Sequence, residues 1–265
     1  MRIVAICKQI YRDEKPIFYI SAISLIAALA YVFCMLIYPF FVGGWKTAHA
    51  AWYDWQTFNA GILAYFSTLI LFYISRYHAL QQQRREFIAA RSFLPHALSE
   101  LTQYLKECAS LLSKASQFID NNREQKPEFL LDLKSPEKYI QTFEKCIALA
   151  QPQFSVYLSQ ILIRLQINQT RLEGVSESIY GRNHLLITKR NINSYFFRLA
   201  ELQCLINAIF AYSRGMSDFE LKPLDKDAFI NAYACLEVFI EHFDGLDEFT
   251  DSHIGVNPSW QIPMG

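Results

Sequence analysis

The chain has 265 residues, 52% of them apolar, and its 25 basic and 25 acidic side chains cancel to a formal net charge of zero. That balance excludes an overall nucleic-acid footprint, which needs an excess of Lys and Arg. The six cysteines (Cys7, Cys34, Cys108, Cys146, Cys204 and Cys235) lie far apart without a C-x-x-C pair. They read as small core residues in a reducing cytoplasm, with Cys34 in a membrane segment, and not as a disulfide framework.

Residues 1–16 form a short amphipathic lead of mixed charge, expected at the cytoplasmic surface. Two uncharged apolar runs follow, Pro16 to Trp45 and Trp55 to Ser75, joined by a link that carries Lys46, His49 and Asp54. Each run exceeds or matches the roughly 20 apolar residues that one helix needs to cross a bilayer. Backbone amides in hydrocarbon must be bonded within their own segment, so both runs are predicted to be helices, over 17–41 and 57–77. Arg2, Lys8, Arg12 and Lys15 precede the first run, and Arg76, Arg84, Arg85 and Arg91 follow the second, whereas the link offers Lys46 alone. The positive-inside bias then puts both termini in the cytoplasm and the link, 42–56, in the periplasm. Trp45, Trp52, Tyr53 and Trp55 crowd that link, as expected of rings that settle at the headgroup level, and Tyr73 and Tyr77 mark the other face. The tripeptide Ala48-His49-Ala50 has the small-x-small form of a signal-peptidase site, but the apolar run before it is about twice the usual 7 to 15 residues.

Small residues mark faces on both spans. Ser24 and Ala28 stand among Ala22, Ala27 and Ala30, and Ala60, Gly61 and Ala64 stand beside Asn59 and Ser67. Such faces let helices approach closely, within the pair or between copies of the chain. Pro39 and Gly43-Gly44 are expected to end or kink the first helix. Neither apolar run contains Asp, Glu, Lys, Arg or His, which argues against a proton-coupled transporter. Two helices alone do not enclose a water-filled path, so a pore would need several copies.

Residues 78–265 are predicted to form a cytoplasmic antiparallel helical bundle, giving an all-α chain. A polar helix over 76–91 continues the second span; Arg84 and Arg85 read as topology signal and solvated face, with contact to anionic headgroups as the alternative. Leu94, Leu98, Leu101, Leu105, Cys108, Leu112, Ala115 and Ile119 then step by four and three, the stripe of a packed helix, with Pro95 in its first turn. Asn121 to Lys134 reads as a loop. Ser135-Pro136 reads as a helix start, and Tyr139, Phe143, either Cys146 or Ile147, and Ala150 form the face of that helix. A longer helix from Pro152 carries Phe154, Leu158, Ile161, Leu165, Leu172, Val175 and Ile179, interrupted by Asn168, and Gly181 to Asn183 makes a turn. His184 to Ser213 is a further helix, striped by Ile192, Tyr195, Leu199, Leu202, Ile206 and Ile209 and ended by Gly215. Phe229, Tyr233, Leu236, Ile240 and Phe243 are expected on one last helix closed by Gly245, and the tail from Leu246 is expected to be irregular.

No phosphate loop, nucleophile elbow, H-E-x-x-H or zinc-spaced Cys and His set occurs. His96, His184 and His242 read as surface or core residues. Glu237, Glu241 and His242 are neighbours, but on a helix His242 turns about 100° away from the two carboxylates. No catalytic, cofactor-binding or metal residue is predicted, no cofactor or small-molecule substrate is expected, and the chain is expected not to be an enzyme.

The segments Trp55-Gln56-Thr57-Phe58-Asn59-Ala60-Gly61-Ile62-Leu63-Ala64 and Leu94-Pro95-His96-Ala97-Leu98-Ser99-Glu100-Leu101 resemble a pattern that recurs in bacterial two-span membrane proteins of unknown function. In size and plan the chain is also similar to the transmembrane effectors of retron anti-phage systems. That resemblance implies a toxin of the bacterial inner membrane, held back by a reverse transcriptase with its RNA-DNA product and released on infection to perturb the bilayer. The partners it implies are the lipid bilayer, further copies of the chain and that reverse transcriptase. The alternative is a non-toxic membrane-anchored scaffold or adaptor.

Overall fold

A computed structural model describes residues 15–121, 136, 138–179 and 187–254, and every regular element among them is helical. The elements are α1 (Lys15–Val32), a π-helical turn (Phe33–Ile37), α2 (Tyr38–Asp54), α3 (Gln56–Asp120), α4 (Lys138–Leu149), α5 (Pro152–Ile179), α6 (Lys189–Ser213), α7 (Lys226–Cys235), a 3₁₀ turn (Ile240–His242) and α8 (Leu246–His253). They divide into two compact units, Met1–Ala79 and Leu80–Gly265. The expected lead at 1–14, the loop and Ser135 within 122–135, the turn at Gly181 to Asn183, His184, and the end of the tail with Gly255, Pro258 and Pro263 lie outside the described residues.

In the first unit, Pro39 has no N–H to donate and its ring crowds the carbonyl four residues earlier. The helix widens into a π turn at Phe33–Ile37, immediately ahead of it, a usual accommodation for such a mismatch. Gly43 (φ −146°, ψ 17°) and Gly44 (φ 69°, ψ −161°) then leave helical geometry altogether. The Gly44 conformation belongs to glycine alone, and a Cβ on Gly43 would collide with Thr47 Oγ1. The chain is therefore kinked where the sequence predicts a kink. Beyond it, however, the link is helical up to Asp54, and a single non-helical residue, Trp55, separates it from α3.

The second unit is organised around α6. Its sequence is apolar on nearly every side: Ile192, Phe196, Phe197, Leu199, Ala200, Leu202, Cys204, Leu205, Ile206 and Ile209 are all buried. A helix without a solvent face belongs at the centre of a core, and α5, α7 and α8 all pack on α6. Residues 94, 98, 101, 105, 108, 112 and 115 of α3 are fully buried, Ile119 is half-buried, and the predicted faces of α4 and α5 are buried as well, with Asn168 on the same side. Polar links tie the elements together. Tyr157 donates to the Leu205 carbonyl at 2.9 Å, and Gln203 Nε2 donates to Thr102 Oγ1 at 3.2 Å and Asn207 Oδ1 at 2.8 Å.

Several boundaries differ from expectation. Pro95 lies inside α3, which is continuous from Gln56; proline deletes one helical hydrogen bond, and the buried Ala90, Leu94, Ala97 and Leu98 hold the helix through it. Helix α4 begins at Lys138, two residues beyond Pro136. Helix α6 begins at Lys189, because Thr188 and Asn191 form a capping box. The last predicted helix is two pieces: α7 stops at Cys235, Glu237 takes a positive φ of 59°, and the Val238 and Glu237 amides close the end on the Tyr233 and Ala234 carbonyls. Gly245 (φ 73°) does not close that helix. It precedes α8, which occupies the first part of the expected irregular tail, with Leu246 and Thr250 buried and Thr250 bonded to Tyr233 at 2.9 Å. Gly215 does terminate α6 as expected: its amide reaches the Tyr212 carbonyl and the Met216 amide reaches Ala211.

Burial pushes the Cys108 and Cys204 thiols up to about 12 and the Cys146 thiol to about 11, from an ordinary value of 9. An unfolded chain releases these protons near pH 9, whereas the folded one keeps them until pH 11 to 12. Stability is then complete below the lower pH and is lost as pH rises through the higher one. The thermal midpoint of the full chain in detergent should hold steady up to about pH 9 and fall steadily above it. A midpoint flat across that alkaline window would mean that the thiols are not in a packed core.

Candidate membrane segment

The surface of the first unit is apolar where most proteins are polar. Residues 58–75 of α3 run FNAGILAYFSTLILFYIS, and the first charge after them is Arg76. Helix α3 is long and apolar enough to cross a membrane, with a mean hydropathy of 1.6 over its best window and only 6% of that window buried. Ile23, Ile26, Leu29, Phe41, Leu71 and Phe72 are all exposed. Isolated exposed apolar residues are ordinary on soluble proteins, but a continuous apolar surface of this kind marks a site of membrane or protein contact.

Around the kinked end the unit has a polar centre. Asn59, only 2% exposed, accepts a 2.7 Å hydrogen bond from Tyr31 Oη and donates one of 3.0 Å to the Trp52 carbonyl. The Tyr31 ring lies 6.4 Å from both Trp52 and Phe58, and Phe58 meets Trp55 edge-on at 5.8 Å. One amide thus ties α1, α2 and α3 together. Further along, Ser24 Oγ and Tyr65 Oη share a 3.1 Å bond. Of the two residues expected to bond across helices, Asn59 does so, whereas Ser67 donates to its own helix at the Leu63 carbonyl, 2.8 Å away.

Packing within α3 separates two faces. Asn59, Ile62, Phe66, Leu69 and Tyr73, stepping by three and four, are buried or half-buried. Gly61, Ala64 and Thr68 lie on the opposite side and are exposed, and a Cβ built on Gly61 meets nothing within 4 Å. Among the described residues of its unit, the small-residue face of the second predicted span is left exposed.

In the second unit, several ionisable side chains among the described residues are paired within the fold. Glu201, 5% exposed, accepts from Arg198 Nη1 at 3.0 Å and faces Arg164 Nη1 at 3.7 Å. Burial lowers the Arg164 pKa while Glu201 opposes the shift. This buried ionic cluster is invisible in the sequence, since its three residues come from two helices. Its carboxylate is committed within the core. A groove of about 170 Å³ is lined by Ser113, Gln117, Asp120, Glu237, Phe239 and His242. Its carboxylates are occupied, Asp120 by Lys189 at 2.6 Å and Glu237 by Lys106 at 2.9 Å. His96 is exposed and pairs with Glu100 at 3.3 Å. Among the described residues no three His, Cys, Asp or Glu side chains converge in a way that could hold a metal. No protein-family model, curated protein or solved structure matches the chain.

Replacing Asn59 by Leu leaves the Tyr31 hydroxyl and the Trp52 carbonyl without their partner, at a cost of about 1 to 3 kcal/mol. The variant should unfold at lower temperature in detergent than the wild-type chain, and Tyr31→Phe combined with it should recover part of the loss. Additive effects of the two substitutions would show that the bond does not clamp the end.

Proposed function

We propose that the chain is a multi-pass protein of the bacterial inner membrane whose first unit is a two-helix hairpin spanning the bilayer and whose second unit is a cytoplasmic antiparallel helical bundle. In this reading it is the membrane effector of an anti-phage, abortive-infection system of retron type. The bundle is restrained by a cytoplasmic partner, a reverse transcriptase with its RNA-DNA product, and the released spans perturb the membrane. The observation that carries the membrane assignment is the uncharged surface of the apolar stretch of α3 ahead of Arg76, almost none of which is covered by the protein itself. Water disfavours such a surface by about 25 cal/mol for each Å² of it, and lipid does not. The defence assignment rests on the resemblance in plan alone. No reaction is assigned to the chain.

The apolar runs lack charged groups, so one protomer offers ions no path and the proposed membrane act requires self-association. The open face at Gly61, Ala64 and Thr68 supports that step, because helices in lipid associate through small residues. The same lack of charge favours a second reading, in which the spans merely anchor a scaffold whose bundle recruits partners.

Reporter fusions test the placement. Fusions at Lys15 and Ser92 should report the cytoplasm and a fusion at Ala50 the periplasm; a cytoplasmic signal at Ala50 would overturn the orientation. The effector reading is tested in cells that make the full chain without its restraint. The wild-type protein should collapse the membrane potential and admit an impermeant dye, and Gly61→Leu should reduce both effects about tenfold at equal insertion, by holding helices apart. Intact membranes around abundant wild-type protein, with the trigger supplied, would leave the scaffold as the better account.

A further inference from the structure

The link between the predicted spans is a helix, and its faces are not alike. At 100° per residue, Trp45, Ala48, Ala51 and Trp52 fall within an arc of about 120°. Lys46, His49, Tyr53 and Asp54 lie on the remainder. Part of the apolar arc is covered by the unit itself: Ala48 is buried, Trp52 is half-buried, and its carbonyl is held by Asn59. Ala51 is half-buried as well, and Trp45 alone of the arc is bare: it is 70% exposed and follows the exposed Phe40, Phe41 and Val42 in the chain.

Direction supports the same conclusion. The segment Ala22–Met35 and the segment Tyr38–Asp54 meet at 56°, with a further break at Gly43 and Gly44. A helix that leaves a span at such an angle, carrying Lys46, His49 and Asp54 within so short a stretch, does not continue into hydrocarbon. A helix with a bare tryptophan on its apolar arc is equally ill suited to bulk water. The location that satisfies both faces is the boundary between headgroups and acyl chains, where indole rings concentrate and amphipathic helices lie flat.

Resting on the membrane reading above, we propose that residues 45–54 form an interfacial helix at the outer leaflet, with Trp45 as its lipid anchor and Lys46, His49 and Asp54 facing the headgroups. The bend ahead of Tyr38 and the non-helical Gly43 and Gly44 together set residues 45–54 off from the span, and the Asn59 clamp fixes which arc meets the lipid.

The test uses the full chain in phosphatidylcholine vesicles whose acyl chains carry bromine either near the carbonyl or near the methyl end. With Trp52, Trp55 and Trp260 replaced by Phe, shallow bromine should quench Trp45 fluorescence about twofold more than deep bromine. In a second chain, Lys46→Cys with every tryptophan retained, an impermeant maleimide added outside should label residue 46 and leave the native Cys34 untouched. Equal or deeper quenching overturns the interfacial placement. So does an absence of quenching by either lipid, whether Trp45 then lies in water or cross-links, as Trp45→Cys, to a second copy. In these cases protected Cys34 keeps the membrane reading intact. Free labelling of Cys34 in the vesicles would sink both.

Discussion

An apolar helix surface without cover is the constraint on which the first unit depends. The backbone of the apolar stretch of α3 is bonded within the helix, so the unit presents almost nothing but side chains to its surroundings, and those side chains are mostly Leu, Ile, Phe, Ala and Tyr. Its buried polar side chain, Asn59, accepts from Tyr31 and donates to the Trp52 carbonyl, and the Tyr31 ring in turn meets Trp52 and Phe58. A buried polar group bonded in this way fixes register without adding a charge.

The second unit concentrates its core on one helix, α6. The middle of helix α6 carries bulky apolar residues on most sides, and its buried polar members have partners: Glu201 two arginines, Gln203 Nε2 Thr102 and Asn207, Asn193 the Asp244 carbonyl at 2.9 Å, and Ser213 the Phe210 carbonyl at 2.7 Å. A buried carboxylate with guanidinium partners stabilises little by itself, but removing one partner leaves an uncompensated charge at a cost of about 3 to 5 kcal/mol. The contact of Glu201 with Arg164 thus specifies how α5 and α6 meet more than it adds to stability. The aromatic cluster of Phe154, Tyr157, Tyr212 and Phe219 closes one side of α6, and the stacked pair of Phe197 and Phe229, with centroids 4.9 Å apart, closes another.

Helical character, the apolar runs and the buried stripes were all legible from residue order, because each is a property of one segment. Leu94 to Ala115 at steps of four and three names a buried face whatever it packs against, and an uncharged run from Trp55 to Ser75 names a lipid-length helix whatever lies beside it. Errors fell where a second element decides. Pro95 signals a helix start locally, yet the burial of Ala90 and Leu94 before it carries the helix through. The spacing from Phe229 to Phe243 signals one helix, yet the chain stops at Cys235, turns at Glu237, and presents Ile240 and Phe243 from a separate turn. Thr250 showed no periodic signal because its reason for burial is Tyr233, on a different helix.

The residue sequence by itself determined that the chain is helical, that Gly43 and Gly44 break it, and that one stretch is apolar and long enough to cross a membrane, since propensity, backbone freedom and hydropathy are summed along the chain. Tertiary structure alone decided that Asn59 turns inward to Tyr31 while Gly61 stays bare, that the link after the glycines is a helix with Ala48 covered and Trp45 bare, and that Glu201 is buried between two arginines. Those outcomes depend on which side chains meet across space, and the free energy of burying a polar group or leaving an apolar one exposed is set by the partner it meets.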